Sequence, residues 1–112
     1  PLIADESVHD SGDVLRLAGI AGGINIKLAK CGGLREARRM IALARALGMK
    51  VMLGCMVEST VGVTAAAHLA PLVDYADLDA SLLVADDPYL GLIWEQGRLI
   101  LPDTPGLGVR ER

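Results

Sequence analysis

Four short runs of strand-forming residues recur at near-regular spacing: Leu2–Asp5, Ile24–Leu28, Lys50–Gly54 and Tyr75–Asp79. Helical patterns lie between them. Strand-helix alternation of this kind predicts βαβ units, a parallel sheet and right-handed crossovers. The first helix is predicted over Ser11 to Ile20, with Val14, Leu15, Leu17 and Ala18 on its buried side. The second runs from Leu34 to Leu47, where Leu34, Ala37, Ile41 and Ala44 fall at helical spacing beside Met40 and Leu47. Gly48 stops it, where a left-handed residue is wanted. The third starts at a Ser59 or Thr60 cap, reaches about Leu69 and ends before Pro71.

The strand faces narrow the fold further. Side chains alternate across a strand, so Ile24, Ile26 and Leu28 share one face, and Asn25 and Lys27 the other. Ala76, Leu78 and Ala80 oppose Tyr75, Asp77 and Asp79 in the same way. A strand sandwiched between helix layers is apolar on both faces. Here one face turns polar only near the C-terminal end. A (β/α)-barrel accounts for that, with aliphatics against the helices and polar groups inside at the rim. A closed barrel needs twice as many strands. Residues 1–80 are therefore predicted to be the second half of a (β/α)-barrel, and 81–112 a C-terminal extension. Within the extension, Leu92–Glu95 and Arg98–Leu101 flank Gln96-Gly97 as a hairpin, and Pro102, Pro105, Gly106 and Gly108 exclude a further helix.

Composition limits the partners. Of the 112 residues, 52% are hydrophobic and only 3% aromatic, so the core is aliphatic. The formal net charge of −3 argues against a nucleic-acid or anionic-membrane surface. No apolar run reaches bilayer-spanning length. The opening Pro-Leu-Ile-Ala-Asp has no basic n-region, so no signal peptide is expected. It starts directly in a strand without Met, as a piece of something longer would. Cys31 and Cys55 form neither a disulfide framework nor a zinc spacing, and thiols in a reducing cytoplasm are expected.

Asp5, Lys27, Asp77 and Asp79 all stand at strand C-terminal ends, where barrel enzymes keep their chemistry. Taken singly, each has a plainer reading. Asp5 suits a loop or cap, Lys27 a surface lysine with a buried stem, and Asp77 and Asp79 a solvated loop. Lys30 lies beyond its strand and reads as solvent-facing. His9 reads as an exposed loop residue, His68 as a packed or capping helix residue. The arginines of 34–47 read as a solvated face. Successive strand ends with matching faces favour a common site for the acids and Lys27.

Ala4-Asp5-Glu6-Ser7, Ile24-Asn25-Ile26-Lys27-Leu28 with Cys31-Gly32-Gly33, Gly54-Cys55-Met56-Val57-Glu58 and Asp77-Leu78-Asp79 occur in an order and spacing that resembles the muconate-lactonizing subgroup of the enolase superfamily. Within it the chain is most similar to dipeptide epimerases of the L-Ala-D/L-Glu type. The resemblance covers essentially the whole chain, including Pro105-Gly106-Leu107-Gly108. It implies that Asp5 is the last of three carboxylate ligands to Mg²⁺. It also implies that Lys27 is one of two opposed lysines moving the substrate α-proton. Cys55, Met56 and Val57 match the segment whose backbone holds the substrate carboxylate. Asp77 and Asp79 match the element that binds the dipeptide ammonium. Glu6, Asn25 and Glu58 are expected to support the site without touching substrate.

What the resemblance implies is a Mg²⁺-dependent dipeptide epimerase working through an enediolate, in a cytoplasmic homo-oligomer that binds neither nucleic acid nor membrane. The first two metal ligands, the second lysine and the capping domain have no counterpart in these residues, and the extension is the part that would pack on that domain. Muconate cycloisomerase, o-succinylbenzoate synthase and N-acylamino acid racemase are alternatives within the superfamily. A non-catalytic half-barrel that pairs with another half is an alternative outside it. As a base, Lys27 has to be neutral, which a nearby divalent cation and partial burial would favour.

Overall fold

A computed structural model describes all residues from Pro1 to Arg112. Strands β1 (Ile3–Ala4), β2 (Gly23–Lys27), β3 (Lys50–Gly54) and β4 (Tyr75–Ala76) form one parallel sheet in the order β1-β2-β3-β4. Spatial order follows chain order, so every crossover steps in the same direction. Right-handed crossovers then place all the connecting helices on one face. A doubly wound sheet would instead reverse its strand order. The arc is that of half a barrel.

The helices are α1 (Ser11–Leu17), α2 (Leu28–Cys31), α3 (Leu34–Ala46) and α4 (Thr60–Ala67). None is long and apolar enough to cross a membrane. The core forms where α3 lays Ala37, Met40, Ile41 and Ala44 over Ile24, Ile26, Val51 and Leu53. Those four strand residues are fully buried on the helix-facing side. The helix boundaries differ from the sequence reading in two places. α1 ends at Leu17, because Ala18 turns extended and Gly19 takes a left-handed φ of 78°. This leaves Leu15 and Ile20 exposed. β2 ends at Lys27, and Leu28 begins the single turn α2, closed by left-handed Gly32.

The fourth strand is also shorter than predicted. After Ala76 only the Asp77 N–H continues the ladder, donating to the Leu53 carbonyl at 2.9 Å. Leu78 then buries itself, and Asp79 turns helical to start a 3₁₀ turn over Ala80–Leu83.

The extension forms two antiparallel ribbons and returns to α4. β5 (Tyr89–Leu90) pairs with β8 (Arg110–Glu111), and β6 (Ile93–Glu95) pairs with β7 (Arg98–Ile100). The second ribbon turns through Gln96 and Gly97, both at positive φ, as a two-residue hairpin demands. The α4 cap comes from this extension and not from Ser59 or Thr60. Ser59 occupies the N-cap position, but its side chain makes no capping bond. The buried Asp87 carboxylate instead accepts from the Thr60 N–H at 2.5 Å and the Tyr89 N–H at 3.1 Å. The Leu92 N–H donates to Thr64 Oγ1 at 3.3 Å, and His68 Nε2 meets the Leu107 carbonyl at 3.1 Å. Gly91 permits the approach, since a Cβ there would lie 2.6 Å from Thr64 Oγ1.

Asp87→Ala is expected to destabilise the fold by roughly 1–2 kcal/mol, read by urea unfolding, because two buried N–H groups lose their acceptor. Acid should have a related effect. Burial works to raise the Asp87 carboxyl, but the Thr60 and Tyr89 donors outweigh it and hold it below its ordinary value. Asp74 is held far below the same range, chiefly by Lys50 and the Val51 N–H. A depressed carboxylate contributes stability above its unfolded pKa of ~3.9 and loses it as pH falls through the folded value. Stability should therefore drop below about pH 4, and the drop should be smaller in the Asp74→Asn/Asp87→Asn double variant.

Candidate functional site at the strand ends

The β2–β3 register runs from Gly23↔Lys50 to Lys27↔Gly54, and β1 joins with Ile3↔Gly23. Paired residues of neighbouring strands share a face. Asp5, Asn25, Lys27, Met52 and Gly54 thus line the side away from the helices. At the C-terminal edge Lys27 Nζ donates to Asp5 Oδ2 at 2.9 Å. Their side chains are 18% and 28% exposed, so the pair sits in a half-open rim.

Lys30 completes this cluster, against the sequence reading of it as solvent-facing. Its Nζ donates to Asp5 Oδ1 at 3.0 Å and to the Asp5 carbonyl at 2.7 Å. The unforeseen turn α2 is the cause, because residues three apart on one turn project to the same side. The signal was present in the spacing Lys27-Leu28-Ala29-Lys30. It could be read only if the strand stopped at Lys27.

Burial alone would raise the Asp5 carboxyl, but the two ammonium groups overcome it and hold it below its usual value. Lys27 is raised above the ordinary lysine range, mainly by its bond to Asp5 and against the effect of burial. As paired here, Lys27 is an ammonium, not the neutral base expected from the sequence.

Next along the rim, Cys55 Sγ lies 3.3 Å from the Asp77 carbonyl, and burial pushes the thiol up. Met56 and Val57 are exposed. The Met56 N–H is occupied by Glu58 Oε1 at 3.0 Å. Asp77, Asp79 and Glu6 point into solvent. Asn25 is buried behind Lys27, and its Oδ1 has no hydrogen-bond partner. It fills the space beside Gly54, where a Cβ would come within 2.7 Å of that oxygen. The structure therefore joins Asp5, Lys27 and Lys30 directly and ties Cys55 to Asp77. No hydrogen bond or ion pair links the two groups. The hollow lined by Leu34, Arg35, Arg38, Arg39 and Ala42 lies on α3 and shares no residue with the rim.

For a hard divalent cation the cluster of Asp5, Lys27 and Lys30 offers one anionic oxygen donor, Asp5. No group of three acidic, histidine or cysteine side chains converges anywhere in the chain. The donor is of the right chemical type, and the remaining ligands would have to come from outside this segment.

The model of the family described as enolase C-terminal domain-like matches residues 1–111. The chain belongs to that family. The L-Ala-D/L-Glu epimerase of Bacteroides thetaiotaomicron is 50% identical over 109 residues, which cover 97% of this chain and 28% of that protein. Among solved structures, the substrate-liganded L-Ala-D/L-Glu epimerase of Bacillus subtilis superposes with a TM-score of 0.90 at 36% identity, covering 97% of this chain and 32% of that one. The dipeptide epimerase of Methylococcus capsulatus, complexed with Mg and the dipeptide L-Arg-D-Lys, also gives 0.90, at 44% identity, with 96% and 32% covered. The chain thus spans about a third of the length of the relatives it matches. Within the enolase C-terminal domain-like family it matches a segment of the barrel, as the sheet order indicates.

Since Asp5 is what raises Lys27, Asp5→Asn should lower the Lys27 ammonium pKa toward the free lysine value. An NMR titration of the Lys27 side chain checks this. An unchanged midpoint would mean that the pairing does not persist in solution.

Proposed function

We propose that this chain supplies the C-terminal half of the barrel (residues 1–80) and a C-terminal extension (81–112) of a Mg²⁺-dependent dipeptide epimerase. The observation that carries this reading is the 2.9 Å Asp5–Lys27 pair at the C-terminal ends of neighbouring parallel strands. Relatives and structural neighbours named as dipeptide epimerases support it. The partnerless Asn25 Oδ1 on the inner face and the exposed Met56, Val57, Leu82 and Leu83 near the rim also support a half-barrel that continues elsewhere.

In this reading Asp5 would be one ligand of Mg²⁺, which would supply electrostatic stabilisation of a developing enediolate. Lys27 would have to act as the neutral amine, with its bond to Asp5 released. Burial then acts on it toward the neutral amine. Lys27 takes the α-proton from one face, and a second base on the opposite face returns one. Asp77 and Asp79 hold the substrate ammonium through charge-assisted hydrogen bonds. That pair favours a dipeptide over N-acylated or carbocyclic acids, which lack the positive charge. The backbone of Cys55, Met56 and Val57 receives the substrate carboxylate, which displaces Glu58 from the Met56 N–H. Glu6, Asn25 and Glu58 act as supports. The extension braces α4 and faces a capping domain.

The test is α-proton exchange into D₂O, followed by NMR on L-Ala-L-Glu and L-Ala-D-Glu with Mg²⁺ and the complete enzyme. Lys27→Ala should lower epimerisation by about 10²–10⁴-fold while sparing exchange from one of the two epimers, the one served by the opposite base. Equal loss of exchange from both would count against a one-sided base. Asp79→Asn should raise KM for dipeptides and leave N-acylamino acid turnover little changed. Equal effects on both substrate classes would remove the ammonium-binding role.

A further inference from the structure

Lys30 has no role in the site as the sequence reads it, yet it is as buried as Lys27, its side chain being 18% exposed. It makes two bonds to one residue, to Asp5 Oδ1 at 3.0 Å and to the Asp5 carbonyl at 2.7 Å. Lys27 makes one, to Oδ2. The two carboxylate oxygens are therefore not equivalent. Oδ1 and the main chain are bridged by a single ammonium, a geometry that opposes both displacement of the β1 end and rotation of the carboxylate. Oδ2 is held by Lys27 alone and can exchange its partner. The clamp depends on α2, whose single turn between Lys27 and left-handed Gly32 carries Lys30 back over β1.

We propose that Lys30 is a positioning residue that fixes Asp5 so that Oδ2 is presented to a divalent cation. This rests on the reading of Asp5 as a metal ligand. A bare positive charge at this distance repels a cation, so its removal would tighten binding. A positioning role has the opposite sign, because loss of an outer-sphere hydrogen bond to a ligand weakens binding. The sign of the change distinguishes the two.

The experiment measures Mn²⁺ affinity by electron paramagnetic resonance on the complete enzyme and its Asp5→Asn, Lys30→Met and Lys30→Gln variants, with folding checked by circular dichroism. Lys30→Met is expected to raise the Mn²⁺ Kd roughly tenfold. Lys30→Gln, neutral but still able to donate to the Asp5 carbonyl, should raise it less. If Lys30→Met does not fold, a raised Kd in Lys30→Gln supports the proposal, and an equal or lower one overturns it. An unchanged or lower Kd in Lys30→Met, with Asp5→Asn clearly weakened, overturns the role of Lys30 and leaves Asp5 as a ligand. Unaltered Mn²⁺ binding in Asp5→Asn overturns the ligand reading itself, and the Lys30 assignment with it.

Discussion

The register of β2 against β3 decides which side chains can meet at the rim. Paired from Gly23↔Lys50 to Lys27↔Gly54, it sends Ile24, Ile26, Val51 and Leu53 to the helices and Asn25 and Lys27 to the opposite face. A slip of one residue would bury Lys27 under α3 and turn the isoleucines away from the core. Gly54 helps to hold this register, since any side chain there would collide with the Asn25 amide. β1 aligns with β2 through Ile3↔Gly23 and thereby delivers Asp5 within bonding distance of Lys27.

Each end of the sheet gathers two cations around one carboxylate. At the N-terminal end of β3, Asp74 accepts from Lys50 at 2.8 Å and from the Val51 N–H at 2.9 Å, and it also pairs with Arg45. That cluster ties α3, β3 and the approach to β4. At the C-terminal end Asp5 likewise faces two cations, Lys27 and Lys30, while Glu6, Asp77 and Asp79 stand exposed on the same rim. The first cluster ties a helix to the sheet, and the second joins the ends of β1 and β2 at the rim. The second position matches the general placement of function at the C-terminal face of such barrels.

The extension adds a longer-range dependence. α4 has buried residues on nearly every side and a first turn without a local side-chain cap. Asp87 supplies the acceptor across a sequence separation of 27 residues, while Arg112 Nε donates to the Asp87 carbonyl at 2.8 Å and anchors the chain end to the same loop. Since α4 follows the Cys55–Glu58 segment, the extension also steadies one wall of the rim.

Much of this was legible in the chain itself. Apolar periodicity and glycine stops specify three helices and the four-strand alternation, because burial of one face is a local pattern. The period of two placed Lys27 on the inner face, and the end of the first run placed Asp5 at the rim, before any pairing was known. The hairpin at Gln96-Gly97 followed from turn chemistry. Contacts made between distant segments could not be read this way. Ser59 and Thr60 are good local caps, yet the donor went to Asp87. Tyr75–Asp79 has strand alternation, yet only Tyr75–Ala76 and the Asp77 N–H pair with β3, and Leu78 beyond them is buried in the core. Lys30 looked solvent-facing because its orientation depends on one helical turn, Leu28–Cys31, too short to leave a periodic signal. Alternation in the sequence determined which face each strand residue takes; tertiary packing alone decided which partners those residues meet, since hydrogen bonds and ion pairs form by distance in space and not along the chain.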